Sequence, residues 1–174
     1  MLFESYELGK LRLSSRAVMA PMTRSRAPGN VPNAMMAEYY GARASAGLII
    51  TEGTSPSPNG LGYARIPGLF NDEQVKGWRL VTNAVHGKGG KIFVQFMHTG
   101  RVAHQLNLPA GAKVVGPSPE VCPGQMWTDQ SGMHAHTAPN PMSQADITAT
   151  TDEFARPAPL ASQAQTEIQW WHSM

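Results

Sequence analysis

The side chains able to do chemistry are scattered along this sequence, and each taken singly has an ordinary explanation. Glu52 ends a short apolar run, Leu48-Ile-Ile-Thr-Glu, where a carboxylate could serve as a general acid. No partner carboxylate is identified for it, so it is expected to be a structural anchor. His98, His104, His134 and His136 raise the question of a metal. His134 and His136 are two residues apart in a polar segment, without a nearby acidic pair or a helical i, i+4 arrangement, and solvated loop histidines are the expectation. Gly87-Lys-Gly-Gly-Lys91 has the composition of a phosphate loop. It lacks the spacing of one and follows a helical pattern instead of preceding it, which makes it a helix C-terminal cap. The hydroxyl of Thr23 and the carboxamide of Gln95, considered alone, need only a local backbone partner.

The elements that would position these groups alternate in type. Leu2, Tyr6, Leu8, Leu11 and Leu13 around Gly9-Lys10 predict two short strands and a tight turn. Residues 17–23 predict a buried strand opening into a loop. Asn33 can cap a helix over 34–46, stopped by Gly47, and residues 48–53 form a β-branched run suited to a buried parallel strand. After a loop over 54–68, Asn71 or Asp72 can cap a second helix carrying Val75, Trp78, Val81 and Val85. Residues 91–97 predict a third strand. The order strand, helix, strand, helix, strand argues for parallel βα units. Met35, Met36, Tyr39 and Tyr40 are expected in the core.

Residues 99–142 have little periodicity and many Pro and Gly, which marks an active-site loop with room for a small hairpin. Ser143 can cap a helix over 144–155. Beyond Arg156 the pattern breaks: Pro157 and Pro159 would each cost roughly 3 kcal/mol in a helix interior. The helix is expected to end near Phe154 or Ala155, followed by a divergent tail over 156–174.

Composition narrows the classes. The 174 residues suffice for one substantial core, and 14 basic against 12 acidic residues, with no basic run, leave no footprint for nucleic acid. Cys122 is the one cysteine, so neither an internal disulfide nor a Cys-rich zinc site can form. The N-terminus carries Glu4 and Glu7 where a signal peptide has basic residues, and no apolar stretch approaches the roughly 18 residues of a membrane span. A cytoplasmic protein without membrane partners is the expectation.

Four blocks, in order and at matching spacing, carry a resemblance: Val18-Met-Ala-Pro-Met-Thr-Arg-Ser-Arg26, Ala44-Ser-Ala-Gly-Leu-Ile-Ile-Thr-Glu-Gly53, Gly60-Leu-Gly-Tyr-Ala-Arg-Ile-Pro-Gly68 and Val94-Gln-Phe-Met-His-Thr-Gly-Arg101. Together they resemble the N-terminal portion of the Old Yellow Enzyme family of FMN-dependent ene-reductases, over about residues 2–155. The resemblance implies an α/β fold, part of a (β/α)8 TIM barrel of three to four βα units entered through an N-terminal β-hairpin. It implies FMN as cofactor and NAD(P)H as reductant, with hydride passing to an alkene activated by a carbonyl or nitro group. Pro21, Met22 and Thr23 would meet the flavin near N5 and O4, with Thr23 supplying a hydroxyl to the electron-rich side of the reduced ring. Gly53 would allow close backbone approach, and Gln95 would both accept from N3–H and donate to O2. Tyr63 and Met97 would line the substrate pocket; Met97 stands where many relatives carry an aromatic residue.

In the family the substrate oxygen is bound by a histidine on the fourth strand, and His172 stands near that place as a catalytic and substrate-binding candidate, although Gln169-Trp-Trp departs from the pattern. The family's later strands supply an Arg near flavin N1 and a phosphate cradle, and a typical barrel needs roughly 250 residues. The chain is therefore expected to represent 1–155 of an FMN-binding barrel, truncated or frameshifted afterwards. The alternative is a catalytically inert remnant acting through association with partner chains at exposed sheet edges. A metal-dependent barrel hydrolase is a third reading, resting on the loop histidines alone.

Overall fold

The computed structural model describes residues 1–170, with side chains through residue 166. Strands β1 (Tyr6–Leu8) and β2 (Leu11–Leu13) form the expected antiparallel hairpin, turning at Gly9 with φ of +59°. Then follow β3 (Val18–Met19), α1 (Ala34–Gly41), β4 (Leu48–Thr54), α2 (Asp72–His86) and β5 (Ile92–Phe96). The long loop after β5 holds β6 (Val115–Gly116), a hairpin of β7 (Gln125–Thr128) with β8 (Gly132–Ala135), and β9 (Asn140–Pro141), which pairs with β6. Last come α3 (Gln144–Ala155), α4 (Pro157–Gln163) and β10 (Glu167–Trp170).

Four strands make one parallel sheet in the order β10-β5-β4-β3. The helices cover one face of it. Met36 and Tyr40 of α1 and Val75, Trp78, Val81 and Val85 of α2 close over Ile49, Ile92, Val94 and Phe96. Each fully buried side chain of this size contributes about 1.5 to 3 kcal/mol, which makes this layer the main source of stability. On β5 burial alternates, so Phe93, Gln95 and Met97 turn to the opposite face and stay half-buried. Met35 is 60% exposed; Tyr39 is half-buried and packs against the core that Met36 and Tyr40 enter.

The helix caps agree with the sequence. Asn33, Asn71 and Ser143 each accept a first-turn backbone N–H, Ser143 in a full capping box with Asp146. Two elements are shorter than expected. β3 stops at Met19, because Pro21 offers no N–H to a ladder. Helix α1 stops at Gly41, and residues 42–46 wind tighter, with Ala44 N–H donating to Gly41 and Ala46 N–H to Arg43. Helix α2 crosses so close there that a Cβ on Gly41 would stand 3.3 Å from that of Ala84.

The segment after Arg156 differs most from expectation. Helix α3 ends at Ala155, as the prolines require, but helical structure resumes at once with Pro157 at N1 or N2. First-turn N–H groups have no intrahelical acceptor, so two prolines there remove little. Ala161 and Ala164 are buried in the core, Thr82 donates to the Ala164 carbonyl at 2.8 Å, and Thr166 donates to Ile92 O at 3.1 Å. Strand β10 then pairs in parallel with β5, with Gln169 opposite Gln95. Among the described residues no helix is long and apolar enough to cross a membrane.

Between α4 and β10, Gln165 holds φ of +57°, a left-handed conformation that disfavours any Cβ. Replacing Gln165 with Gly is expected to raise unfolding stability by about 1 kcal/mol. Urea denaturation measures this; a loss of stability would show that the joint is not left-handed in solution.

Candidate functional site

The site is built from strand register. β3 pairs with β4 at Met19↔Ile49, so Thr23 and Gly53 stand at equivalent distances beyond a paired position. β4 pairs with β5 at Ile50↔Phe93 and next at Gly53↔Gln95, leaving Thr51 and Glu52 opposite Val94 alone. This is a β-bulge, one extra residue on β4 that re-aims the end of the strand. Without it Glu52 would lie opposite Gln95 on the open face. With it, Gly53 takes that place and Glu52 turns toward α1. The Thr51 hydroxyl closes the gap by accepting the Gln95 N–H at 3.0 Å.

Buried Glu52 is the anchor expected. Its Oε1 accepts from the Tyr40 hydroxyl at 3.2 Å and its Oε2 from the backbone N–H of Arg24 at 3.1 Å, while Tyr40 accepts the N–H of Glu52 at 2.8 Å. Desolvation pushes the Glu52 pKa above the usual carboxylate range, opposed by the Arg24 N–H, the Tyr40 hydroxyl and the Arg24 charge. Burial and the adjacent carboxylate push Tyr40 well up. The contact to Arg24 fixes the residue next to Thr23 against the residue next to Gly53.

Gly53 and Gln95 are thus directly opposed, and the segment bearing Thr23 is tied beside them. The Gln95 carboxamide has no hydrogen bond among the described residues. Pro21 is half-buried; Met22 and Thr23 are exposed. Met97 comes just after β5, with its N–H on Thr54 O at 3.0 Å, and its side chain lies over Gly53: a Cβ there would meet Met97 Cε at 2.5 Å. Tyr63 is half-buried in the loop after β4. His172 lies outside the described residues. This row borders an open surface, and a concavity of about 310 Å³ sits near the other strand ends, lined by Leu8, Lys10, Leu11 and Phe93.

Four histidines lie in the loop after β5. His98 Nδ1 accepts the Gly100 N–H at 3.0 Å, its Nε2 is buried without a partner among the described residues, and burial lowers its pKa against the pull of Glu153. His134 and His136, expected to be solvated, are half-buried, His134 with its ring centroid 5.3 Å from that of His104 and His136 Nδ1 3.1 Å from Cys122 O. Burial, then the charges of His134 and His136, depress His104. Among the described residues no group of three or more His, Cys, Asp or Glu is arranged to hold a metal.

Arg65 does not stand out in the sequence. Its left-handed backbone, φ +55°, and its long reach to Asp129 carry no local signal.

Residues 1–170 match the model of the NADH:flavin oxidoreductase / NADH oxidase family. The chain is 49% identical to 12-oxophytodienoate reductase 7 of Oryza sativa subsp. japonica over 112 residues, which is 64% of this chain and 28% of that protein. It is 41% identical to a probable flavin mononucleotide-dependent alkene reductase of Leishmania infantum over 139 residues, 79% of this chain and 38% of that one. Among solved structures, morphinone reductase superposes with a TM-score of 0.90 at 39% identity, and an old yellow enzyme homologue from Zymomonas mobilis with 0.91 at 37%. Each covers 97% of this chain, and the chain covers 47% of each. It thus spans about half of the solved relatives and less of these curated ones.

Because burial raises the Glu52 pKa in the folded state, the group contributes stability that is present at low pH and lost as pH rises through the raised value. Relative to Glu52→Gln, the native chain should therefore lose stability as pH rises above the ordinary carboxylate range. Glu52→Ala, which strips the acceptor from Tyr40 and Arg24, should cost roughly 3 kcal/mol where Glu52 is protonated and less as pH rises. Denaturant midpoints across pH test both; parallel curves for native and Gln variants would contradict the buried carboxylate.

Proposed function

Since the chain belongs to the NADH:flavin oxidoreductase / NADH oxidase family, we propose that the row Thr23, Gly53 and Gln95 receives the edge of FMN, and that the chain carries the flavin-side portion of an NAD(P)H-dependent reductase of activated alkenes. The fold is the corresponding part of a TIM barrel, as its solved relatives show, and in such barrels chemistry sits at the C-terminal strand ends. The observation carrying the proposal is the Gly53↔Gln95 register, which sets an unbonded carboxamide beside a bare backbone on the open face.

The donor set fits the cofactor. A carboxamide offers an acceptor and a donor side by side, the complement of the flavin imide edge, and Gln95 has both unclaimed among the described residues. The Thr23 hydroxyl is exposed, with no hydrogen bond among the described residues, and is free to donate toward developing negative charge. FMN, when bound, supplies two-electron transfer from NAD(P)H to the alkene. The chain's own part is orientation: Glu52 holds the Thr23 segment, Thr51 holds Gln95, and Met97 and Tyr63 border the space beyond. The alkene class is supported by the relatives, one named as an alkene reductase and another, morphinone reductase, solved with tetrahydroNAD. His172, by its place in the sequence, is proposed as the residue that binds the substrate oxygen.

A second reading has its own support. Val18 is 47% exposed, Phe93 and Met97 are half-buried, and β3 and β10 are the outer strands of the sheet, a surface suited to self-association.

FMN titration followed by flavin fluorescence separates the two readings. Binding that Gln95→Leu weakens about tenfold or more, the worth of one to two hydrogen bonds, supports the flavin site. Thr23→Ala should shift the midpoint potential of bound FMN. A native chain that binds no FMN and elutes as an aggregate would overturn the first reading in favour of the second.

A further inference from the structure

Three loops leave the C-terminal ends of β3, β4 and β5, and one side chain touches all three. Arg65, in the loop after β4, donates from Nε to the Ser25 carbonyl at 3.1 Å and from Nη1 to Asp129 Oδ1 at 2.6 Å, while its own carbonyl accepts the Ala27 N–H at 2.9 Å. Ser25 and Ala27 belong to the segment just after Thr23. Asp129 sits at the tip of the β7–β8 hairpin, where its carboxylate also accepts the Trp127 indole N–H at 2.9 Å. Asn107 reinforces the seat, donating to Gly62 O at 3.0 Å and Trp127 O at 2.9 Å.

The backbone here is strained. Ser25, Asn30 and Arg65 hold φ of 53°, 62° and 55°, three of the four non-glycine residues with positive φ among those described. Such conformations are unfavourable for residues with a Cβ and persist only where surrounding contacts over-determine them. Here the contacts are those of Arg65 itself, together with the Asn30 side chain on Ile66 O at 2.8 Å and the Gly68 N–H on Asn30 O at 2.9 Å. Residues 24–27 are therefore held from two sides, by buried Glu52 through the Arg24 N–H and by Arg65 through Ser25 and Ala27.

We infer that Arg65 is the positioning residue that locks the Thr23 segment and the β7–β8 hairpin into one rigid rim over the strand ends. Guanidinium geometry makes this specific: two N–H groups in a fixed fork reach a carbonyl and a carboxylate at once, which an ammonium on a flexible stem does poorly. The side chain is 38% exposed, so the ion pair with Asp129 alone is worth little. Its effect lies in coupling two loops. For its functional consequence the inference rests on the flavin reading, since the rim would fix where Thr23 meets the ring.

Hydrogen exchange tests the lock without any cofactor. In Arg65→Ala the amides of Arg24 and Ala27 and those of the β7–β8 ladder should exchange about tenfold faster together, while Val81 and Val85 in α2 keep native rates. Asp129→Asn should free the hairpin amides and leave Arg24 and Ala27 within about twofold of native. Arg65→Lys should rescue the hairpin more than the Thr23 segment. Acceleration spread evenly through α2 would mean general destabilisation and overturn the inference, as would unchanged rates at Ala27 in Arg65→Ala. In a chain that binds FMN, Arg65→Ala should also weaken FMN severalfold and alter its visible spectrum. A native chain that binds no FMN sinks the flavin reading, while the exchange rates still decide the lock.

Discussion

A carboxylate taken out of water at the end of a sheet strand governs the arrangement of this half of the molecule. Glu52 accepts from the hydroxyl of a helix residue and from the backbone of the preceding βα loop. Desolvation raises its pKa against what these partners return, so the charged form is the disfavoured one there. Its value is positional. It can turn outward only because the bulge at Thr51 and Glu52 breaks the two-residue alternation of β4. The same break turns Gly53 inward. One extra residue therefore does two things: it buries the anchor against Tyr40, and it places a bare backbone opposite Gln95.

The helices complete only one side of this design. Their apolar stripes cover the outer face of the four-stranded sheet, while the inner face keeps Phe93, Gln95 and Met97 half-buried and Val18 exposed. On that face the strand ends are positioned by directional hydrogen bonds, the Arg24 N–H on Glu52 and the Gln95 N–H on Thr51.

How much of this is legible in the sequence depends on the range of the interaction concerned. Asn33, Asn71 and Ser143 cap helices through contacts three residues away, and the β4 and β5 runs declare themselves by composition; all are readable. The family blocks place Gly53 and Gln95 at neighbouring strand ends, and the register agrees. The bulge is not readable, because Ile-Ile-Thr-Glu-Gly is as good a regular strand as a bulged one. Pro157 and Pro159 suggest an end to helical structure, though prolines forbid a helix interior and not a first turn. The packing of His104 on His134 and the span from Arg65 to Asp129 join residues 30 or more positions apart, and nothing local announces either.

Met97 shows how the two halves of the candidate site differ in kind. Its side chain occupies the space that a Cβ on Gly53 would fill, and the atoms met there are the far end of a flexible chain. Anything approaching Gly53 from the open face must move Met97 aside. A thioether on three rotatable bonds does this at little cost, whereas an aromatic ring would be a fixed wall. The placements of Thr23 and Gln95 are thus set by bulge, anchor and loops, while the surface over Gly53 remains adaptable. Selectivity for the ligand's edge would come from the strands, and tolerance in what lies above it from a single flexible side chain.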